Sequence, residues 1–402
     1  MYKNYLIAGF IYLFIGNLFA QLSVDFSLSS YADDNIYSSP YPTQDFLSDY
    51  SAYLSYTPDK TNINYYYNGD YTQYNEEVSR NYWIHELGIS YYNPFGKDEQ
   101  NTFYLGGYWL KRLDTEENYY YDYSQLYGYA NLNFSFDTMF LKTGYNFRYR
   151  SYNYLPDLTN YRHYLFVQGN KSFQTRTSLI LEADVGYKSY AGQEIFEHSS
   201  GDGGTRPPGH GPGGGGMMAV ESVESTQAYY YMSTTTAIPS MGQYVLLARA
   251  AQSLTEKMGI YIQYRLQRSL TPNTDYKNLD TQYVDEELFD DPFSYESDSY
   301  SSQLSWLLPW QMKIEAGGVY SSKNYLNEYA YITEDDTVGL GGLRLDNRTN
   351  AYINFTKNFY FSDTWISAIR IYINYNYINN KSNSFWYKYK NNVFGGGLEF
   401  SF

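Results

Sequence analysis

The chain has 402 residues, 43 acids against 28 bases for a net charge of −15, and 54 Tyr, 23 Phe and 6 Trp but no Cys. The missing thiol excludes structural disulfides, thiolate metal sites, c-type haem, an Fe–S cluster and a lipidated N-terminal Cys, and the acidic balance argues against nucleic acid as a partner. Aromatics make up 21% of the chain although mean hydropathy is −0.57, because Tyr supplies apolar area with a polar tip and suits a surface that is greasy on one side and wet on the other.

Residues 1–20 read MYKNYLIAGFIYLFIGNLFA, with Lys3 before an apolar core and Leu18 and Ala20 where a signal peptidase accepts small or apolar residues. This reads as a secretory signal cleaved after Ala20, leaving residues 21–402 as the mature protein. No later stretch approaches the ~20 consecutive apolar residues that a membrane helix needs.

Period-two alternation begins at once. Leu22, Val24, Phe26 and Leu28 alternate with Ser23, Asp25, Ser27 and Ser29. The pattern returns in 141–149, where Leu141, Thr143, Tyr145, Phe147 and Tyr149 oppose Lys142, Gly144, Asn146 and Arg148, and in 179–187, where Leu179, Leu181, Ala183, Val185 and Tyr187 oppose Glu182, Asp184 and Gly186. Further copies lie at 260–266 and 369–377. Segments of about ten residues fit a tilted strand crossing a bilayer. Strands are expected at 22–31, 48–57, 62–72, 81–92, 101–112, 119–134, 139–151, 161–172 and 177–189, then at 241–254, 257–270, 299–308, 312–322, 348–358, 364–378 and 384–402. The fold class is therefore all-β, a transmembrane antiparallel β-barrel of about sixteen strands with short periplasmic turns and long extracellular loops.

The connections support that asymmetry. Short turns such as 57–60, 136–138, 255–257 and 308–310 alternate with longer polar stretches such as 32–46, 190–240, 271–298 and 323–347. Residues 227–238 (QAYYYMSTTTAI) have strand propensity but would make the count odd, so they are assigned to the long loop, as a hairpin arm or an inward fold.

The chain closes on Gly397-Leu398-Glu399-Phe400-Ser401-Phe402, with Leu398, Phe400 and Phe402 on one face. This resembles the closing strand of bacterial outer-membrane β-barrel proteins, and the resemblance implies that the terminal Phe is part of the signal read by the outer-membrane assembly machinery. The motif covers six residues and names no narrower family. The first strand begins just after the expected cleavage site, which leaves no room for a plug, a passenger or a periplasmic array. A Gram-negative-type outer membrane, with its lipid as surroundings, is the expected location.

The polar sets should line a lumen. Lys142, Arg148, Arg150, Lys188, Arg249, Arg265, Lys313 and Arg370 are the bases there, and Glu86, Glu182, Asp184, Glu315 and Glu399 the acids. Opposed charges of this kind would set a transverse field across a pore; the blander reading is that they pair with each other in a wet interior. Tyr exceeds the roughly 32 aromatics of two interfacial belts on sixteen strands, so some must face lumen or loop. Sugar or aromatic solutes could stack there, against the plainer view of Tyr as boundary filler.

Three further features carry less. The acidic run 271–298 offers Asp285, Glu286, Glu287, Asp290 and Asp291 as hard oxygen ligands for a divalent ion, but without an EF-hand order. Residues 201–216 hold nine Gly in sixteen residues and follow no phosphate-cradle order, which makes a disordered tether or a lumen-folding segment the alternatives. His85, His163, His198 and His210 form no metal pair, and no nucleophile elbow marks a serine. No cofactor and no enzymatic activity are expected. The function expected is a porin-like channel for small polar solutes; the alternative is a surface-presenting barrel with an occluded lumen whose outer loops bind a partner or polysaccharide. No strand group is marked as a face for a homo-oligomer.

Overall fold

The computed structural model describes residues 22–191, 195–197, 232–234, 240–271, 291–362 and 365–402. The strands are β1 (Leu22–Asp33), β2 (Asp45–Tyr56), β3 (Ile63–Tyr74), β4 (Tyr82–Phe95), β5 (Asn101–Asp114), β6 (Tyr123–Phe136), β7 (Met139–Tyr152), β8 (Asn160–Ser172) and β9 (Thr177–Tyr190). A short pair, β10 (Ile195–Glu197) and β11 (Met232–Thr234), precedes β12 (Met241–Ser253), β13 (Met258–Ser269), β14 (Tyr295–Leu308), β15 (Met312–Tyr329), β16 (Leu343–Tyr360), β17 (Ala368–Ser382) and β18 (Tyr389–Ser401). All but β10 and β11 join one closed antiparallel barrel of sixteen strands in which β1 pairs with β18. Closure removes the unpaired edge that a sheet of this size would otherwise expose.

Each strand follows the alternation in its sequence. Leu165, Leu181, Ile262, Ile353 and Phe394 point outward and are exposed, forming an apolar exterior. Their neighbours in sequence point into the lumen, where the register stacks polar side chains row upon row. An apolar outside around a polar inside is what a bilayer demands of a spanning barrel, so the chain is a transmembrane β-barrel of outer-membrane type. Several inward Tyr rings lie flat against a glycine on the next strand. A Cβ at Gly186 would come within 2.6 Å of Tyr164 Cε1, and one at Gly317 within 2.6 Å of the Tyr352 hydroxyl, so these two positions need the absent side chain.

Several expected boundaries are corrected. Tyr119–Tyr121 forms a 3₁₀ turn rather than the start of a strand, closed by Tyr121 N–H donating to Asn118 O and Asp122 N–H to Tyr119 O. The acidic run ends earlier than 298, because Glu296 and Asp298 lie on β14 beside Arg268, whose guanidinium donates to Asp298 at 2.8 Å. The loop expected at 323–347 shrinks because β15 runs on to Tyr329 and β16 begins at Leu343. Of 227–238, the described part pairs with β10 inside the long connection and stays out of the barrel. Residues 1–21, with the expected signal, and the Gly-rich stretch lie outside the described residues.

Candidate functional site: the barrel lumen

Parity along the strands places every expected lumen charge on the inward face. Lys142, Arg148 and Arg150 lie on β7, Glu182, Asp184 and Lys188 on β9, Arg265 on β13, Lys313 and Glu315 on β15 and Arg370 on β17, in register with inward neighbours such as Gln168, Arg162, Leu247, Asn354 and Glu399. Arg249, Glu86 and Glu399 share that face. Leu398 and Phe400 face outward opposite Leu28 and Phe26. Phe402 packs edge-on to Phe26 at 5.8 Å, lies 5.1 Å from Trp365, and donates its N–H to Val24 O at 3.0 Å.

The charges are not evenly distributed round the wall. The inward faces of β1 to β4 carry Asp25, Asp33, Asp45, Asp49, Asp70 and Glu86 and no base. The inward faces of β7, β8, β9, β12 and β13, which stand roughly across the lumen, carry Lys142, Arg148, Arg150, Arg162, Lys188, Arg249 and Arg265 against Glu182 and Asp184. Arg148, Arg162 and Lys188 stand directly opposite one another across β7, β8 and β9. Like charges in that position repel, and local acceptors offset part of the cost. Arg148 Nη2 donates to Asn160 Oδ1 at 3.3 Å, Arg162 sits 5.2 Å over the Tyr164 ring, and Lys188 pairs with Asp291.

Sequence reasoning missed the second feature of the lumen. On the barrel strands, the described side chains that are buried all lie in the half toward the long connections, among them Ser29, Gln125, Arg148, Lys188, Gln267, Asp346 and Asn391. Toward the short turns the described inward side chains are exposed or only partly buried, and Arg370 at the rim has 49% of its side chain exposed. Among the described residues, connections that fold inward bury the half toward the long connections. Leu158, from 153–159, packs on Tyr123 and Tyr152. Residues 291–294 hang between β9 and β13. Residues 383–388 cover Arg344, whose guanidinium binds Glu328 at 2.7 Å, pairs with Asp346, and lies over the rings of Tyr325 (3.9 Å) and Tyr387 (3.1 Å). The rim is tied further where Tyr41 of 34–44 donates to Glu334 at 2.6 Å and meets Phe385 at 6.0 Å. That acceptor raises the Tyr41 phenol, since ionising it would place two anions in contact.

Asp291, offered as a metal ligand, has a carboxylate oxygen engaged by Lys188 and Tyr190, and Asp285, Glu286, Glu287 and Asp290 lie outside the described residues. Among the described residues no group of three or more His, Asp and Glu side chains is placed to hold a metal ion. His85 and His163 both face outward, four strands apart, and each Nδ1 meets a tyrosine hydroxyl: Tyr67 at 2.9 Å and Tyr145 at 2.6 Å. They belong to aromatic stacks such as Tyr71–Trp83–His85, with centroids 4.2 and 6.1 Å apart, which suits a membrane boundary. His198 and His210 lie outside the described residues.

No protein-family model matches the chain, and no curated protein does. Among solved structures it is similar to a loop L8 deletion mutant of the outer membrane protein OmpT of Vibrio cholerae, at 14% identity over 95% of this chain and 99% of that one, TM-score 0.42. It is also similar to the outer membrane protein OpdK of Pseudomonas aeruginosa, at 8% identity over 95% and 100%, TM-score 0.48. A bacterial polysaccharide outer membrane secretin is similar at 8% identity over 94% and 97%, TM-score 0.45. At these scores the likeness adds nothing to the barrel's own geometry, and function has to be read from the chain's residues.

Proposed function

We propose that the protein is a porin-like outer-membrane channel through which small polar solutes diffuse down their gradients, with the long connections outside the cell and the short turns in the periplasm. The observation that carries this reading is a polar inward face with no fully buried side chain in the short-turn half, continuous with a lumen whose acidic and basic walls stand opposed. A barrel of about sixteen strands is wide enough for an aqueous passage. No step is chemical, so the protein acts as no enzyme. Solutes are selected by width and by the transverse field between β1–β4 and the wall of β7, β8, β9, β12 and β13, which orients dipolar molecules as they pass.

The packing in the long-loop half favours one rival, a surface-presenting barrel whose lumen is closed and whose outer loops bind a partner or polysaccharide. Proteoliposome swelling separates the two. The channel admits neutral solutes of pentose size faster than trisaccharides, with the rate falling steeply with size. A rate equal to that of protein-free vesicles, from protein that is folded and heat-modifiable, would leave only the surface-presenting barrel.

A further inference from the structure

Residues 291–294 form a compact inward turn with its own internal bonds. Phe293 N–H donates to Asp291 Oδ1 at 3.0 Å, and Ser294 N–H and Oγ both donate to Asp291 O at 2.8 Å. The wall grips this turn at four points. Lys188, with 2% of its side chain exposed, pairs with the Asp291 carboxylate. The Tyr190 hydroxyl reaches the same oxygen at 3.4 Å. Gln267, fully buried on β13, donates its amide to Pro292 O and to Tyr295 O, the latter at 3.2 Å. Phe293, 3% exposed, lies 5.8 Å from the Tyr164 ring, and its tip comes within 3.1 Å of where a Cβ on Gly186 would stand.

Neither end of this arrangement makes sense alone. Lys188 stands in a row of three cations, where burial is costly without a counter-charge. The hollow at Gly186 takes the Tyr164 ring and the tip of Phe293 together, so charge and shape both hold one turn at one place. The turn also brings the end of an acidic connection down onto the basic wall, beside Lys188 and Arg162.

We propose that residues 291–294 are a fixed filter element, hung on Lys188 and seated over Gly186, which narrows the outer half of the lumen and decides the size of solute admitted. This rests on the channel reading. Anchoring and filtering are separable. Anchoring is read without any conductance, because the chain has no Cys and Val245→Cys puts a single thiol on the wall. Val245 is inward, 3% exposed, and directly opposite both Asp184 and Gln267.

The experiment labels Val245→Cys protein in vesicles with a charged maleimide, alone and combined with Lys188→Met, Phe293→Ala or the exchange Lys188→Asp/Asp291→Lys. The expected result is labelling at least about tenfold faster with Lys188→Met or Phe293→Ala, as a buried anchor is lost, and protection regained with the charge exchange. Equal rates in all four proteins overturn the proposal. Single-channel recordings on the same proteins test the filter: Lys188→Met should conduct more than the parent and pass larger sugars. Faster labelling with unchanged conductance overturns the filter and leaves the channel standing. Faster labelling with no conductance in any protein overturns the channel reading, and the filter with it.

Discussion

Arg344 offers the sharpest test of how the outer rim is held. Its guanidinium has 4% of its side chain exposed and bonds Glu328 and Asp346, which are 14% and 3% exposed. Asp346 also accepts from Asn380 Nδ2 at 3.1 Å, and Asn380 donates to Tyr387 O at 2.7 Å, so the cation ties β15, β16, β17 and the 383–388 connection into one unit. Replacing Arg344 by Met keeps most of the volume and strands two carboxylates with little water, a change that costs about 3–5 kcal/mol for a broken buried pair. The triple variant Arg344→Met/Glu328→Gln/Asp346→Asn removes the stranded charges and should return to within about 1.5 kcal/mol of the parent, since a buried ion pair adds little over neutral groups of the same shape. Urea titration of the barrel folded in lipid vesicles, followed by Trp fluorescence and by heat-modifiable migration, measures both. A single variant as stable as the parent, or a triple variant no better than the single, would refute the reasoning.

Much of the fold was legible because a spanning strand has to show its two faces in sequence. The set 179–187 puts Leu181 and Val185 outside and Glu182 and Asp184 inside, and no other arrangement of those residues suits a membrane. The closing aromatics were equally plain. What could not be read was which connections turn inward, because that depends on partners far apart in the chain. Lys188 and Asp291 are 103 residues apart, and neither neighbourhood announces the other. A weak signal was present in Phe289-Asp290-Asp291-Pro292-Phe293, where rings recur within the acidic run, which an exposed tether would not need. The Arg344 cluster was hidden by the same cause as the short estimates for β15 and β16: polar residues near a rim read as loop whether they are solvated or buried against each other.

Three further outcomes are expected. Leu165→Arg, outward and 58% exposed, should cost about 2–4 kcal/mol in vesicles, as an arginine near the bilayer midplane does; the inward Ser51→Arg, opposite Asp70 on the acidic wall, should be nearly neutral, and a reversal of that order would mean the faces have been assigned backwards. Phe402→Ala removes the contacts to Phe26 and Trp365 and, if the last strand is the assembly signal, should reduce folded barrel in cells several-fold while refolding in detergent is little changed; equal loss in both settings would make Phe402 a packing residue only. Asp336 accepts from the N–H groups of Ile332, Val338, Gly339 and Leu340, and these donors, Ile332 first, hold its carboxyl below its ordinary value of 3.8. A depressed folded value stabilises the 330–342 connection above 3.8, and the stabilisation is lost as pH falls through the lower folded value; the protection of residues 332–340, their exchange relative to the intrinsic rate at each pH, should therefore hold down to about pH 4 and fall below it, and Asp336→Asn should abolish that step.

Single-channel recording of the purified, refolded protein in a planar bilayer bears most directly on the central claim. A water-filled lumen predicts stable, stepwise, ohmic openings, with a reversal potential in a salt gradient that moves toward cations when Lys142, Arg249 and Arg265 are replaced by Glu. Protein that is β-rich and heat-modifiable yet electrically silent, or openings whose selectivity ignores those replacements, would contradict it.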